Sequence, residues 1–175
     1  MDIKVTLDER GFLPDRYAKY ADRAHLHAGV PTCSFPFEVT DVPAGTASLA
    51  LTIVDFDAIP VCGFPWVHWC ACGIDGSLVE AGRLTVPEDA SNRQALGMAQ
   101  GRNSSASRLA RSTDPLVIDR YNGPQPPDGT HDYTLTVYAL DEKVRLAEGF
   151  WMNELLHAMR GHVLAQATVE LPARS

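Results

Sequence analysis

A chain of 175 residues with 45% hydrophobic and 21% charged residues has the length and composition of a globular protein, and we expect a single domain over residues 1–175. The formal net charge of −7 argues against nucleic acid or an anionic membrane as a main partner. No apolar run approaches the length of a transmembrane helix, and the first residues lack the basic-then-apolar pattern of a signal peptide. We therefore expect no integral membrane segment and a cytoplasmic location.

Alternation of apolar and polar residues predicts most of the regular structure. In chain order, strands are expected at residues 1–7, 34–39, 48–54, 66–72 and 133–140, separated by turns rich in glycine and proline. A short helix is expected at residues 153–160, capped by Asn153, and residues 163–171 could extend it before becoming a last strand. This pattern predicts a mainly β fold, an antiparallel β-sandwich with a few short helices.

Polar side chains gather where the predicted strands begin and end. Asp55 and Asp57 follow the strand at 48–54, and His68 lies on the next strand. His131 and Tyr133 share one face of a strand that begins after the proline-rich segment 121–130. Two histidines beside a carboxylate and a phenol can bind phosphate or another anion. The alternative is that Asp55 only caps a turn and that each histidine is an ordinary surface residue.

Metal binding and nucleophilic catalysis have weaker support. His68, Cys70 and Cys72 alternate on one strand face, but structural zinc sites usually pair ligands across a turn, with a second pair elsewhere. Neighbours on one strand face also rarely reach disulfide geometry, so we expect free thiols and no metal. The serines at 104–107 lie outside any Gly-x-Ser-x-Gly motif, and no cofactor is implied.

Three motifs in this order resemble the phosphatidylethanolamine-binding protein family, and within it the bacterial and archaeal Raf kinase inhibitor-like branch. They are Asp55-Phe56-Asp57-Ala58 after an apolar strand, Trp66-Val67-His68-Trp69, and the segment from Gly123-Pro124-Gln125-Pro126-Pro127 to Gly129-x-His131-x-Tyr133. The resemblance runs nearly end to end, because Gln100-Gly101-x-Asn103 and Tyr138-Ala139-Leu140-Asp141 also occur in the family's order.

This resemblance implies a non-catalytic binding protein with a small anion pocket at one edge of a β-sandwich. Family members bind phosphate or phosphorylated head groups there, several bind other proteins, and bacterial members are often homodimers. A small anionic ligand, a protein partner and a second copy of the chain are therefore the implied partners. By motif position the pocket would be lined by Asp55, Trp66, His68, Gly123, Pro126, His131 and Tyr133.

Three positions depart from the family pattern. Ile59 stands where the family has a proline that is typically cis; since a cis bond before a non-proline residue costs about 2.5–4 kcal/mol, Ala58–Ile59 should be trans. Gln125 replaces a common cysteine. Asp132 replaces the usual arginine and should point to the strand face opposite His131 and Tyr133.

Two other functions are compatible with the same sequence. A small phosphoester hydrolase or transferase would use His68 or His131 as acid or base and Asp55 to orient it, although no metal or activated nucleophile is evident. A protease or kinase inhibitor acting through its surface is the third possibility. For the anion pocket, we expect the affinity to rise as the pH falls through the usual histidine range near 6.5.

Overall fold

Ten strands and three short α-helices form the computed structural model, which describes all 175 residues. The strands are β1 (Asp2–Val5), β2 (Leu26–His27), β3 (Val30–Pro31), β4 (Phe37–Thr40), β5 (Ser48–Asp55), β6 (Trp66–Asp75), β7 (Leu84–Val86), β8 (Ala99–Gln100), β9 (His131–Leu140) and β10 (Val163–Ala173). The α-helices are α1 (Ile59–Cys62), α2 (Pro115–Ile118) and α3 (Met152–Ala158), and five single-turn 3-10 helices lie between the strands.

Strand β5 lies in the middle of a five-stranded antiparallel sheet with the order β10-β9-β5-β6-β8. All eight residues of β5 are buried, because the strand is paired on both edges and covered on both faces. This explains why its sequence is apolar at nearly every position rather than at every second one. The strand breaks at Asp55, where the acidic loop begins.

A second, three-stranded sheet with the order β1-β4-β7 covers one face of the large sheet. One cluster of 26 buried residues contains Phe37 and Val39 from the small sheet together with Leu51, Trp69 and Leu135 from the large one. Since the two sheets share this core, they pack face to face as a sandwich. The predicted fold class, mainly β and antiparallel with short helices, is confirmed.

The other face of the large sheet packs against helix α3. Ala50, Cys70 and Cys72 form an apolar cluster there with Leu155 and Met159 of the helix region. Both cysteines are free and fully buried, as expected, and burial raises the pKa of the Cys70 thiol to about 12. They act as small apolar residues of the core.

The C-terminal elements differ from the sequence prediction in two details. Helix α3 begins one residue before the expected Asn153 cap: Trp151 is extended at the helix start, and its backbone N–H donates to the Glu154 carboxylate at 2.7 Å. The helix does not extend through residues 163–171, because Gly161 takes a positive φ of 82° and redirects the chain into β10. No helix has the length and apolar character needed to cross a membrane.

Candidate functional site

The register of the large sheet brings the predicted site residues to one edge of the sandwich. Asp55, the last residue of β5, pairs with Trp66 on β6 and with Tyr133 on β9. His131 is the first residue of β9, and His68 lies two positions into β6 from Trp66. The acidic loop, the start of β6 and the start of β9 therefore meet at the same end of the sheet.

The proline-rich segment reaches this edge through close backbone contacts. The Asn122 N–H donates to the carbonyl oxygen of His68 at 3.0 Å, and the Gly123 N–H donates to that of Pro31 at 2.7 Å. A Cβ atom at position 123 would lie 2.5 Å from the Tyr17 carbonyl oxygen. Glycine is required at this position because a side chain would collide with Tyr17 and Pro31, against which the segment packs.

These elements enclose a cavity of about 290 Å³, the size suited to a small ligand. The structure places all seven residues expected from the motifs around it, and eight further residues complete the wall. The seven are Asp55, Trp66, His68, Gly123, Pro126, His131 and Tyr133, and the eight are Val30, Ala58, Val61, Cys62, Ser105, Asn122, Gln125 and Pro127. That the seven residues bind a ligand stays a prediction.

A buried ion pair links two of these residues. The Nδ1 atom of His131 lies 2.8 Å from Oδ2 of Asp55, and its Nε2 atom lies 3.1 Å from Oδ1 of Asp128. The other Asp55 oxygen accepts the backbone N–H of Ala58 at 3.0 Å, which holds the acidic loop against the sheet. Burial opposes a charge on His131, but the two carboxylates more than offset this effect and raise the pKa of the ring.

His68 has the opposite electrostatic environment. Its side chain is 6% exposed, and burial lowers its pKa to about 4 even though Asp55 lies near it. Its Nδ1–H donates to the carbonyl oxygen of Asn122 at 2.6 Å. The usual histidine range near 6.5 therefore does not apply to His68, because desolvation disfavours its charged form.

Two hydroxyl groups are the neutral donors in the cavity wall. Tyr133 packs edge-on against the His68 ring, with the ring centroids 4.8 Å apart, and burial together with Asp55 raises the pKa of its hydroxyl. Ser105 accepts the side-chain amide of Asn122 at 2.7 Å, so its own hydrogen can point elsewhere. Both hydroxyls keep their protons at neutral pH and can donate, Ser105 to a ligand and Tyr133 to a ligand or to the Asp55 carboxylate beside it.

Ser105 and Cys62 are two of the eight wall residues that the motifs did not predict. Ser105 follows the Gln100-Gly101-x-Asn103 motif, where the Asn103 carboxamide accepts the Ser105 N–H at 2.9 Å and so fixes the turn. Asn103 is therefore the residue of this motif that could have indicated Ser105 in the sequence, because its side chain positions Ser105. The thiol of Cys62 donates to the Phe64 carbonyl oxygen at 3.3 Å, and nothing in its sequence context distinguishes it.

Other residues of the acidic loop and of β9 lie outside the cavity wall. Asp57 is exposed, and its carboxylate accepts the backbone N–H of Asp132 at 2.9 Å. Asp132 is itself exposed on the strand face opposite Tyr133, as the alternation predicted. No peptide bond is cis, so Ala58–Ile59 is trans, and the following proline lies in the first turn of α1.

No metal site accompanies these residues. The structure has no group of three or more His, Cys, Asp or Glu side chains placed to hold a metal ion. The prediction that His68, Cys70 and Cys72 share one strand face is wrong. A bulge in the β5–β6 pairing leaves His68 as an extra residue between Val67 and Trp69 and interrupts the alternation. The two thiols therefore pack in the apolar cluster against α3, while His68 lines the cavity.

Comparisons with known proteins agree with this architecture. The family model for phosphatidylethanolamine-binding protein matches residues 4–173. YxkA of Bacillus subtilis (strain 168) is 48% identical over 172 residues, which cover 98% of this chain and 99% of YxkA. A UPF0098 protein of Methanothermobacter thermautotrophicus is 31% identical, with 95% of this chain and 94% of that protein covered.

Two solved structures share the fold. CT736 of Chlamydia trachomatis, described as a putative phosphatidylethanolamine-binding protein homologue, is 26% identical with a TM-score of 0.71, covering 99% of this chain and 98% of that one. YbcL of Escherichia coli superposes with a TM-score of 0.73 at 20% identity, over 99% of this chain and 98% of YbcL. The chain belongs to the phosphatidylethanolamine-binding protein family, in its bacterial and archaeal branch.

Proposed function

We propose that this chain is a non-catalytic binding protein whose cavity takes a small phosphate-type anion, either phosphate or a phosphorylated head group. Family membership supports a binding role. The observation that carries the proposal is the convergence of Asp55, His68, His131 and Tyr133 from three strands on one small cavity. Polar groups concentrated in an otherwise apolar wall are the usual arrangement of a small-molecule site.

The cavity offers an anion a histidine whose charged form is favoured and two neutral hydroxyls. Both ring nitrogens of His131 face carboxylate oxygens, which raise its pKa and favour the imidazolium, so the ring attracts an anion by its charge and not by a hydrogen bond. The Ser105 and Tyr133 hydroxyls can donate hydrogen bonds to oxygen atoms. Asp55 holds the imidazolium in place at 2.8 Å. The carboxylate thus acts through the histidine, since directly it would repel an anion.

The phosphoester hydrolase or transferase hypothesis has less support from this geometry. A general base needs a free ring nitrogen near its substrate, and Nε2 of His131 is engaged by Asp128 at 3.1 Å. His68 has a free Nε2 atom, but no serine or cysteine hydrogen-bonds to either histidine as an activated nucleophile would. Turnover of an aryl phosphate that is lost in His68→Ala would favour an enzyme instead.

Calorimetric titration of the purified protein with methyl phosphate tests the binding proposal. We expect saturable binding at pH 5.5, weaker by at least tenfold in His68→Ala and in His131→Ala, because each change removes a ring from the cavity wall. His157→Ala is the control, since His157 is exposed on α3 and should leave binding unchanged. Thermal unfolding of each variant shows that it is folded. No heat of binding, or equal binding in all variants, would contradict the proposal.

Three further parts of the proposal concern partners and location. The family resemblance favours a homodimer, regulation of a protein partner in the manner of a Raf kinase inhibitor-like protein, and a cytoplasmic location. A protease or kinase inhibitor acting through its surface belongs to the same group of hypotheses. Light scattering tests the dimer, and a mass near 19 kDa at micromolar concentration would contradict it.

A further inference from the structure

The buried ring of His68 presents a hydrogen-bond acceptor to the cavity. The Asn122 carbonyl oxygen, 2.6 Å from Nδ1, can only accept, so Nδ1 carries the hydrogen. Burial lowers the pKa of the ring to about 4, so the ring is neutral at physiological pH and Nε2 has no hydrogen. No group of the protein donates to Nε2, and the ring lines the cavity at 6% exposure. A hydrogen-bond donor that enters the cavity, from a ligand or from water, can therefore reach this nitrogen.

The charge around the cavity is unfavourable for a dianion. None of the fifteen lining residues is lysine or arginine. Among the lining residues only His131 can add a positive charge, but both of its ring nitrogens face carboxylates, of Asp55 and Asp128, so no N–H is left for a ligand. Lys19, outside the lining, donates to the backbone carbonyl oxygen of Pro126 at 2.8 Å. The two carboxylates and the imidazolium together carry one net negative charge. Two further negative charges beside them would be repelled more strongly than one.

Common oxyanions differ in whether they can donate a hydrogen bond to Nε2 of His68 and in how much negative charge they bring into the cavity. Sulfate is a dianion without a hydrogen, and a phosphodiester is a monoanion without one; both would place only lone pairs against Nε2 of His68. A phosphomonoester has a second pKa of about 6, so below this pH it is a monoanion that keeps one P–OH group. That hydroxyl can donate to Nε2, while the remaining oxygens accept from Ser105 and Tyr133.

We propose that the cavity selects phosphomonoesters in their singly protonated form, held by a hydrogen bond from the P–OH group to Nε2 of His68, over phosphodiesters and sulfate. This inference rests on the proposed anion-binding function and narrows its ligand class. The acidic proton stays on the ligand and is shared with the imidazole, so no group is transferred. The other titratable groups facing His68 are Asp55, His131, Tyr133 and Cys62.

Calorimetry on the wild-type protein with three anions, under four conditions, tests the selection. The conditions are methyl phosphate at pH 5, methyl phosphate at pH 8, dimethyl phosphate at pH 5 and sulfate at pH 5. Dimethyl phosphate at pH 5 matches the charge of methyl phosphate but lacks the hydrogen, so the pair separates charge from hydrogen bonding. We expect methyl phosphate at pH 5 to bind at least tenfold more tightly than the other two anions at that pH. Its affinity should fall about 100-fold by pH 8, following the population of the monoanion.

The outcomes separate this inference from the function on which it rests. If dimethyl phosphate or sulfate binds as tightly as methyl phosphate at pH 5, the cavity is an anion site but the selection is wrong. If methyl phosphate binds equally at pH 5 and pH 8, the requirement for the ligand's proton is also wrong. If none of the three anions binds at pH 5, the proposed function itself is contradicted.

A substitution of the acceptor provides the second test. His68→Gln replaces the acceptor with a side chain that can also donate, so the preference for methyl phosphate over dimethyl phosphate should fall below about threefold. His162→Gln is the matched control, because His162 lies outside the cavity, and it should keep the wild-type preference. Nitrogen-15 NMR of the wild-type imidazoles gives a readout that does not depend on a folded variant. A proton found on Nε2 of His68 in the free protein would overturn the inference.

Discussion

The two ends of strand β9 carry the same chemical arrangement in different surroundings. At its start, His131 lies between Asp55 at 2.8 Å and Asp128 at 3.1 Å. Beyond its end, His162 lies between Asp141 at 2.9 Å and Glu142 at 3.1 Å. In both places one imidazole bridges two carboxylates at nearly equal distances. The side chains of His131 and Asp55 are 6% and 5% exposed, whereas those of His162 and Asp141 are 38% and 48% exposed.

Burial is therefore the variable that distinguishes these two histidine bridges. Water screens the exposed bridge and can replace either of its partners, so the bridge should contribute little to stability. In the buried bridge, removal of one partner leaves the other desolvated and unpaired, which is strongly unfavourable. Carboxylate–histidine contacts occur at both ends of β9, so these contacts by themselves do not distinguish the candidate site. The bridge at His131 differs because it is buried and lies beside the cavity.

The largest expected effect comes from breaking the buried bridge at Asp55. Asp55→Asn removes the charge that faces His131, and we expect a loss of about 3–5 kcal/mol in the free energy of unfolding at pH 6. Asp141→Asn makes the same change in the exposed bridge and should cost about 0–1 kcal/mol. Urea unfolding followed by circular dichroism measures both. Equal losses in the two variants would show that burial is not the deciding factor.

A smaller effect concerns how the contribution of the buried bridge depends on pH. Folding raises the pKa of His131 above its value of about 6.5 in the unfolded chain. The bridge therefore stabilises the fold fully at a pH below the pKa of the unfolded state, and this stabilisation is lost as the pH rises through the pKa of the folded state. The stability difference between wild type and Asp55→Asn should therefore shrink from pH 6 to pH 9. An NMR titration should show the His131 midpoint above 6.5. A midpoint below 6.5 would contradict this account.

The smallest effect is expected at the outer partner of His131. Asp128 is 66% exposed, so Asp128→Asn should reduce the free energy of unfolding by about 0–1 kcal/mol, as for a surface ion pair. The change should also lower the pKa of His131, since one of the two carboxylates that raise it is gone. NMR titration of the variant measures this shift. A loss as large as that of Asp55→Asn would mean that the outer contact is as desolvated as the inner one.

Much of this architecture follows from local sequence patterns. The alternation at 48–54, 66–72 and 133–140 predicted three neighbouring strands of the large sheet, because side chains on a strand point to opposite faces in turn. Boundaries were less predictable: the start of α3 depends on a contact between Trp151 and Glu154, and its end depends on the backbone conformation of Gly161. The motifs also pointed to seven residues that the fold brings around one cavity.

The different roles of the two cavity histidines, His68 and His131, could not be predicted from local sequence patterns. In the sequence they are equivalent imidazoles with the same unperturbed pKa. Their difference depends on partners that are distant in the chain: the Asn122 carbonyl lies 54 positions from His68, and Asp55 lies 76 positions from His131. The sequence by itself determined the long central strands, the mainly β antiparallel fold class and the motif residues at the edge of the large sheet, because these follow from local periodicity and motif order. Only the tertiary structure decided that the pKa of His68 is lowered and that of His131 is raised, because burial acts on the first ring and long-range contacts with two carboxylates act on the second.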